Sequence, residues 1–399
     1  MPICIRVTYA RQRWYHPTGV RCSEMEYDAI LHAKGIRNEA AQAKTKVWEA
    51  YDRVEQAVRR LLKGDAFTLD QLKIEMGKTS ASRGGKTLYE SWMDKAQSYE
   101  KYKTRSIYVI SCRSFFRFLG CAFTLESKGV YSITGTRARI LPAAVTQKMV
   151  DDWRVWMQGE GLSASSQSIY LRCIHALMTD LSEDKIVKSV PKAKAPASTR
   201  RREDYLPVED IIRLRDYEGP GKRWADWWLI LYTCNGANLA DLATLTWEDD
   251  YFYQNELTFV RHKTENSSPQ RVYIPIIPEL QDLLSRHASE PQRGYRVFPQ
   301  ILLSAQTEQQ MSMRISDVNR MIGNGIKKVC AELGIRPVSA STARNSYITT
   351  LTHHEVSDTF IDDMVGHVSN KSVLRGYQGM FSAKKRMKYN NLLFVVPEE

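Results

Sequence analysis

The sequence predicts a multidomain, mainly α-helical protein, and three observations support this fold class. The chain has 399 residues, which corresponds to two or three domains at roughly 100–200 residues per domain. Apolar residues recur every three or four positions over long stretches, as on the buried side of amphipathic helices. A basic, proline-containing stretch at 188–202 interrupts this pattern. We therefore expect a small α+β N-terminal module, an all-helical block, and a mostly helical C-terminal domain with a small antiparallel sheet.

The N-terminal module is assigned to residues 1–76. Apolar and polar residues alternate over 5–9, as in a half-buried β-strand, and the chain is expected to return as a second strand over 13–20. A capping-box pattern begins at Ser23, and residues 39–63 have the composition of a helix. This order predicts a two-stranded sheet followed by helices.

Positive charge is concentrated at the start of this module. The first 22 residues contain four arginines and no acidic residue. One interpretation is a basic sheet face that contacts a polyanion, and the other is a solvated edge strand protected by its arginines from edge-to-edge pairing. Charge alone leaves both open, and the candidate contact residues are Arg6, Arg11 and Arg13.

Residues 87–187 are predicted to form the all-helical block, after a Gly-, Ser- and Lys-rich stretch at 77–86. Helices are expected at about 87–100, 104–119, 144–158 and 164–180. Their aromatic residues recur at helical spacing and are assigned to the core. Arg113 and Arg117 lie one turn apart on the second helix and are either polyanion contacts or solvated residues.

The stretch 188–202 is the most distinct charge feature. It contains three lysines, three arginines, two prolines and no acidic residue. Prolines and small residues oppose regular structure, so an extended linker is predicted. A solvated tether need not be this basic, so a strap along a polyanion is favoured, with Arg200, Arg201 and Arg202 as contacts. Residues 203–399 then form the C-terminal domain.

Composition favours a polyanion-binding protein and excludes several other classes. The net charge is +12 and the pI is about 9.2. The longest apolar run, 227–234, is far shorter than the roughly 18 residues of a membrane helix, and the arginine-containing N-terminus does not fit a signal peptide. The seven cysteines include no Cys-x-x-Cys pair, and no Asp, Glu and His set has metal-ligand spacing. We expect a cytoplasmic protein with no membrane partner, no metal and no cofactor.

The last fifth of the chain contains residue types that can attack a phosphodiester without a metal. Arg344 presents a fork of donors that matches two phosphate oxygens. His367, which follows Gly366, can donate or move a proton near neutral pH. Tyr377, ten residues later, is an oxygen nucleophile that can hold a covalent phosphate. Upstream, Lys263 is predicted at a hairpin tip, from which it could protonate a leaving oxygen.

Each of these residues has an ordinary structural explanation when it is taken alone. His367 fits a buried, hydrogen-bonded histidine, and Arg344 fits an ion-pair partner on a helix. Lys263 fits a turn lysine, and Tyr389 is a second candidate nucleophile nearby. The functional interpretation becomes specific only through the order and spacing of the set.

This order and spacing resemble the tyrosine recombinase (phage integrase) family. The second box of the family is His-x-x-Arg, and this chain has Ser341-Thr342-Ala343-Arg344. The next box is Leu-Gly-His with the nucleophilic tyrosine about ten residues later, and this chain has Val365-Gly366-His367 followed by Tyr377. The first box, Thr-Gly-Leu-Arg-x-x-Glu-Leu, corresponds to Asn235-Gly236-Ala237-Asn238-Leu239-Ala240-Asp241-Leu242.

The resemblance implies a site-specific DNA recombinase, the integrase of a bacterial mobile element. Tyr377 would attack the scissile phosphate and become joined to a DNA 3′ end. Arg344 would stabilise the phosphate charge, and His367 would bind the phosphate or handle the tyrosine proton. Lys263 would protonate the departing 5′ oxygen. The 5′ hydroxyl of a second DNA then reverses the reaction.

The resemblance also implies a role for each segment. Residues 1–76 would be an arm-type DNA-binding module, 87–187 a SAM-like core-binding domain, and 203–399 the catalytic domain, joined by the basic linker 188–202. The implied partner is double-stranded DNA, bound by a homotetramer with an accessory DNA-bending or directionality factor.

Two positions depart from the family pattern. Asn238 stands where the first-box arginine is expected, and Ser341 stands where the second-box histidine is expected. An asparagine can donate to a phosphate oxygen but carries no charge, so another cation is expected at the site. The candidates, which the sequence does not rank, are Arg261, Arg271 and Arg336.

Two other functions stay open. The first is a DNA-binding protein with a degenerate recombinase fold, which Asn238 and Ser341 suggest. The second is a nuclease or type IB topoisomerase-like enzyme that nicks and reseals DNA, against which the three-part layout argues.

Overall fold

The structure, a computed structural model, describes residues 1–33, 38–63, 67–76, 86–125, 131–192, 194, 196, 204–261, 269–367 and 381–397. The chain divides into two compact units, 1–199 and 200–399. Within the described ranges, no helix is both long enough and apolar enough to cross a bilayer. The mainly helical fold class with small antiparallel sheets is confirmed.

The first unit begins with an antiparallel hairpin of β1 (Pro2–Tyr9) and β2 (Gln12–Arg21). Its two-residue turn uses left-handed backbone, with a φ of 63° at Arg11, as twisted hairpins require. Val7 and Trp14 are opposite each other in the ladder and pack against the helices that follow.

The helices after the hairpin are α1 (Glu24–His32), α2 (Glu39–Lys63) and α3 (Leu69–Glu75). The predicted capping box is present: the Glu26 carboxylate accepts from the Ser23 N–H at 2.7 Å, and the Ser23 hydroxyl accepts from the Glu26 N–H at 3.3 Å. Gln71 of α3 bonds the Arg139 carbonyl and the Leu141 N–H, which ties the helix to the next block.

The block predicted as all-helical contains helices and one short hairpin. Its elements are α4 (Leu88–Gln97), α5 (Tyr102–Phe118), β3 (Ala122–Leu125), β4 (Tyr131–Thr134), α6 (Gln147–Gly159) and α7 (Ala164–Glu183). The predicted helices are confirmed, and the aromatic residues Trp92, Phe115 and Trp153 form the centre of the core. The β3–β4 hairpin corrects the all-helical description. Its strands have four residues each, too few for alternation to be recognised in the sequence.

The second unit packs helices around a two-stranded antiparallel ladder. Its elements are α8 (Val208–Arg215), α9 (Lys222–Thr233), α10 (Leu239–Thr244), α11 (Asp249–Gln254), β5 (Glu256–Val260), β6 (Arg271–Pro275), α12 (Pro278–His287), α13 (Pro299–Leu302), α14 (Glu308–Leu333), α15 (Thr342–His353), α16 (Asp358–Met364) and α17 (Ala383–Asn390). Helix α9 is central, since residues 225–233 are all buried and α14 and α15 pack against it. The predicted sheet at about 251–276 corresponds to β5 and β6.

A buried ion pair fastens α17 to this ladder. Nε of Arg386 donates to one carboxylate oxygen of Glu256 at 2.8 Å and Nη2 donates to the other, with side-chain exposures of 8% and 1%. The same guanidinium lies 4.4 Å from the ring centroid of Tyr273 on β6. The charges therefore compensate each other in a site that excludes water.

We expect Glu256→Gln to lower the free energy of unfolding by about 3–5 kcal/mol, because it leaves Arg386 charged and buried without its partner. The matched control is Asp317→Asn, which removes an exposed partner from Arg320 and should cost at most about 1 kcal/mol. Urea denaturation followed by circular dichroism measures both. Equal effects would show that the buried pair contributes no more than a surface pair.

Candidate active site

Arg344 lies in the first turn of α15 and joins the three sequence boxes. Its Nη1 donates to the Gly236 carbonyl at 3.0 Å, and its Nη2 donates to the Val365 carbonyl at 2.6 Å. Gly236 belongs to the first box, and Val365 lies two positions before His367. One guanidinium reaches both acceptors because its donors form a rigid planar fork. Residues that are distant in sequence thus meet at Arg344.

A buried asparagine holds the first-box loop. Asn235 has a φ of 56° and is 1% exposed. Its Nδ2 donates to the Tyr273 and Met364 carbonyls at 2.8 and 3.1 Å, and its Oδ1 accepts from Nδ2 of Asn390 at 2.9 Å. These bonds connect the loop with β6, α16 and α17. Neither Asn235 nor Asn390 was predicted to have a role, and the available signal for Asn235 was a polar residue directly after the apolar run 227–234.

His367 follows the turn that ends α16. Its backbone N–H donates to the Asp362 carbonyl at 2.8 Å, and its Nδ1 lies 3.3 Å from the Asp362 carboxylate. Burial and the Arg344 cation, with a smaller effect of Arg261, lower the pKa of His367 below 6.5 although Asp362 opposes the shift. The shift favours the neutral form of the ring. With its Nδ1 proton donated to the carboxylate, Nε2 presents a lone pair that can accept a proton.

Positive charge accumulates at the turn before the histidine. Burial and the neighbouring Arg261 lower the pKa of Arg344 to about 10, and Asp241 opposes this shift. Arg344 still carries its charge at neutral pH. Arg261 donates from Nη1 to the Gly366 carbonyl at 3.1 Å. Two guanidinium groups are thus held on the consecutive carbonyls of Val365 and Gly366.

The two positions that depart from the family pattern are exposed. Asn238 is the N-cap residue of α10, and its side chain makes no capping hydrogen bond. Ser341 is the N-cap residue of α15, and its hydroxyl lies 2.9 Å from the hydroxyl of Ser339. Neither side chain brings charge to the site.

Several predicted residues lie outside the described part of the chain, namely Lys263, Tyr377, Arg200, Arg201 and Arg202. Their roles stay predictions. The rival nucleophile Tyr389 is described, and its ring packs against Phe360 with centroids 4.7 Å apart. Among the described residues, no group of three or more His, Cys, Asp or Glu is placed to hold a metal ion.

The candidate polyanion contacts of the first unit are exposed, and they are Arg6, Arg11, Arg13, Arg113 and Arg117. Arg6 and Arg13 project from one face of the β1–β2 hairpin, opposite to Trp14, because side chains alternate along a strand. Arg117 lies 3.6 Å from the Glu160 carboxylate, so part of its charge is balanced within the unit.

We expect Gly236→Ala to displace Arg344. Gly236 has a φ of 62°, and a Cβ at this position would lie 2.6 Å from Cα of Arg344. The matched control is Gly334→Ala, which has a φ of 64° but would meet no atom within 4 Å. Both variants carry left-handed strain of about 1–3 kcal/mol, and Gly236→Ala adds a backbone clash. Urea denaturation should show the larger loss for Gly236→Ala, and equal losses would contradict the close packing.

No protein-family model and no curated protein matches the chain. Several solved structures do match the chain. The integrase of transposon Tn1549 in complex with circular intermediate DNA is 14% identical, with 76% of this chain and 99% of that chain covered at a TM-score of 0.50. A variant of that integrase with a second circular intermediate DNA is 15% identical, with the same coverage and a TM-score of 0.51. The chain therefore has the fold of the Tn1549 integrase.

Proposed function

We propose that the chain is a site-specific DNA recombinase, the integrase of a bacterial mobile element. The observation that carries this proposal is the convergence of Arg344 and His367 at one turn within an integrase fold. Arg344 donates to the Val365 carbonyl, and its charge lowers the pKa of His367. A half-buried cation beside an imidazole whose neutral form is favoured suits a phosphodiester that gains negative charge as it is attacked.

The proposed reaction breaks one phosphodiester bond and forms another. The phenolic oxygen of Tyr377 attacks the scissile phosphorus, and the bond from phosphorus to the 5′ oxygen breaks. The protein becomes joined to the DNA 3′ end. Nε2 of His367 takes the phenolic proton, and Lys263 gives a proton to the departing 5′ oxygen. Arg344 stabilises the charge on the non-bridging oxygens.

Strand exchange reverses these bond changes. The 5′ hydroxyl of a second DNA attacks the phosphotyrosine, and the phenol is regained with its proton. Because a phosphodiester is formed for each one broken, the reaction needs no energy source, cofactor or metal. The roles of Tyr377 and Lys263 rest on the family resemblance, and those of Arg344 and His367 rest also on their geometry.

The proposed partner is double-stranded DNA, bound in the cytoplasm by a homotetramer together with an accessory factor. The similar Tn1549 integrase is itself in complex with DNA. The face of the β1–β2 hairpin that carries Arg6 and Arg13 and the basic linker 188–202 are the proposed contacts to the DNA backbone. Contacts of this kind neutralise phosphates and position the protein without reading sequence.

A second candidate function is DNA binding without cleavage. The exposed, uncharged Asn238 favours it, because a recombinase site short of one cation would stabilise the transition state poorly. The two functions share the fold and differ in whether the protein forms a covalent bond to DNA.

The deciding experiment uses nicked suicide substrates that carry the ends of the element that encodes the protein. After cleavage a short fragment diffuses away, so a recombinase is trapped as a protein–DNA adduct that survives denaturing electrophoresis. We expect the unmodified protein to form this adduct. A protein that binds the ends without an adduct, while Asn238→Arg forms one, would be the degenerate binder.

A further inference from the structure

The proposed site is short of one cation at the first box. Asn238 is exposed at the start of α10, and its amide cannot replace a charged fork of donors. A phosphodiester carries one negative charge and gains more during attack, so a single arginine would leave part of it uncompensated. A second cation would have to reach the site from another element.

Arg261 reaches the site from the end of β5. It is 9% exposed, and its Nη1 donates to the Gly366 carbonyl at 3.1 Å. Gly366 has a φ of 65°, and a Cβ there would lie 2.8 Å from Cγ2 of Val272 and 3.5 Å from Cδ of Arg261. The left-handed φ and the close Val272 contact favour glycine here, and the arginine stem passes at van der Waals distance from this residue. This places its guanidinium at the residue before His367.

Within the described part of the chain, the Arg261 guanidinium makes one hydrogen bond to a carbonyl and no ion pair. A single bond to a carbonyl needs one donor, and a buried cation is costly unless it is paired. Among the described residues, the structure gives Arg261 no carboxylate partner, and its buried Nε has no hydrogen-bond acceptor. Arg261 instead adds positive potential around Arg344 and His367 and lowers the pKa of both. Such surplus charge suits an anionic ligand.

The two other candidate cations are paired with acidic residues. Arg271 bonds Asp250 at 3.3 Å, and Arg336 bonds Asp204 at 3.2 Å. Both arginines are exposed, as surface ion pairs usually are. They serve as matched controls, because each has the same side chain in the same unit.

We propose that Arg261 is a further catalytic residue, which donates to the scissile phosphate in place of the first-box arginine. This inference rests on the proposed recombinase function. In it, the guanidinium keeps its bond to the Gly366 carbonyl and directs its remaining donors at a non-bridging oxygen. Arg261 and Arg344, each bonded to one of the consecutive carbonyls of Gly366 and Val365, then both donate to the phosphate.

The test compares Arg261→Met, Arg271→Met and Arg336→Met on the suicide substrates. Methionine keeps the apolar stem and removes the charge. We expect Arg261→Met to slow adduct formation by about 10²–10³-fold, as does the loss of one transition-state donor, with DNA affinity in a mobility-shift assay nearly unchanged. The two control variants should stay within about threefold of the unmodified protein.

The outcomes separate this inference from the proposed function. If the unmodified protein binds the ends but forms no adduct, the recombinase function fails. If it forms the adduct and Arg261→Met does so within about threefold, the role of Arg261 is wrong and the recombinase function stands. A loss of the same size in Arg271→Met or Arg336→Met would also overturn the assignment.

A second measurement tests the position of Arg261 without activity. The pKa of His367 is read from the imidazole signals in an NMR titration of the free protein, which also shows whether Arg261→Met is folded. Removing a neighbouring cation should raise this pKa towards 6.5. Arg336→Met should leave it unchanged. An unshifted pKa in folded Arg261→Met would place the guanidinium away from the histidine and contradict the proposal.

Discussion

Tyr377→Phe is expected to bind DNA as the unmodified protein does and to form no covalent adduct. The substitution removes one oxygen and keeps the ring, so it eliminates the nucleophile and changes packing little. Phenylalanine has no oxygen that could bond to phosphorus, so the loss should be complete. Denaturing electrophoresis of the suicide-substrate reaction measures the adduct, and a mobility-shift assay measures binding.

The matched control for this experiment is Tyr389→Phe. The Tyr389 ring packs against Phe360, and phenylalanine preserves that contact. Normal adduct formation by Tyr389→Phe is therefore expected. If Tyr377→Phe formed the adduct and Tyr389→Phe did not, the nucleophile would be Tyr389, and the ten-residue spacing after His367 would have misled the assignment.

Arg344→Ala should have the second-largest effect, a fall in adduct formation of at least about 10²–10³-fold. It removes a charged fork from the phosphate and also the two bonds that join the Gly236 and Val365 carbonyls. Arg344→Lys should recover little activity, because an ammonium is a point charge that cannot serve two acceptors and a phosphate together. A urea melt separates misfolding from loss of chemistry.

The effect of Arg344→Ala on adduct formation is to be compared with that of Asn238→Ala, which changes the first-box position. The Asn238 side chain is exposed and uncharged, so its removal should be much milder than Arg344→Ala. Adduct yields measured side by side on one substrate decide this. If the two variants were equally inactive, the asparagine itself would contact the phosphate, and no compensating cation would be needed.

Most of the secondary structure could be predicted because its signals are local. The capping box at Ser23, the helix at 39–63 and the aromatic periodicity of α6 each depend on residues within a few positions of one another. The β3–β4 hairpin was not predicted, because its strands are short and are stabilised by packing of Phe123 and Ile133 against the helical core. Such packing has no local signature.

The residues of the candidate site also fall into those that local sequence predicts and those that it does not. Arg344 and His367 were predicted from residue type and spacing, and the structure brings them to one turn. Asn235 was not predicted as the residue that positions the first-box loop, since its partners Tyr273, Met364 and Asn390 are spread over three elements. Nothing near it in sequence reveals these partners.

The sequence by itself determined the fold class, the helices and the residue types able to act on a phosphodiester, because periodicity, capping and chemical type are properties of neighbouring residues. Only the tertiary structure decided which of the three candidate arginines lies beside Arg344. The sequence placed Arg261, Arg271 and Arg336 on equal terms. Arg261 lies 105 residues from Gly366 and reaches its carbonyl only because β5, β6 and α16 pack together. Contacts over such separations depend on how whole elements bury their apolar faces, which local sequence does not state.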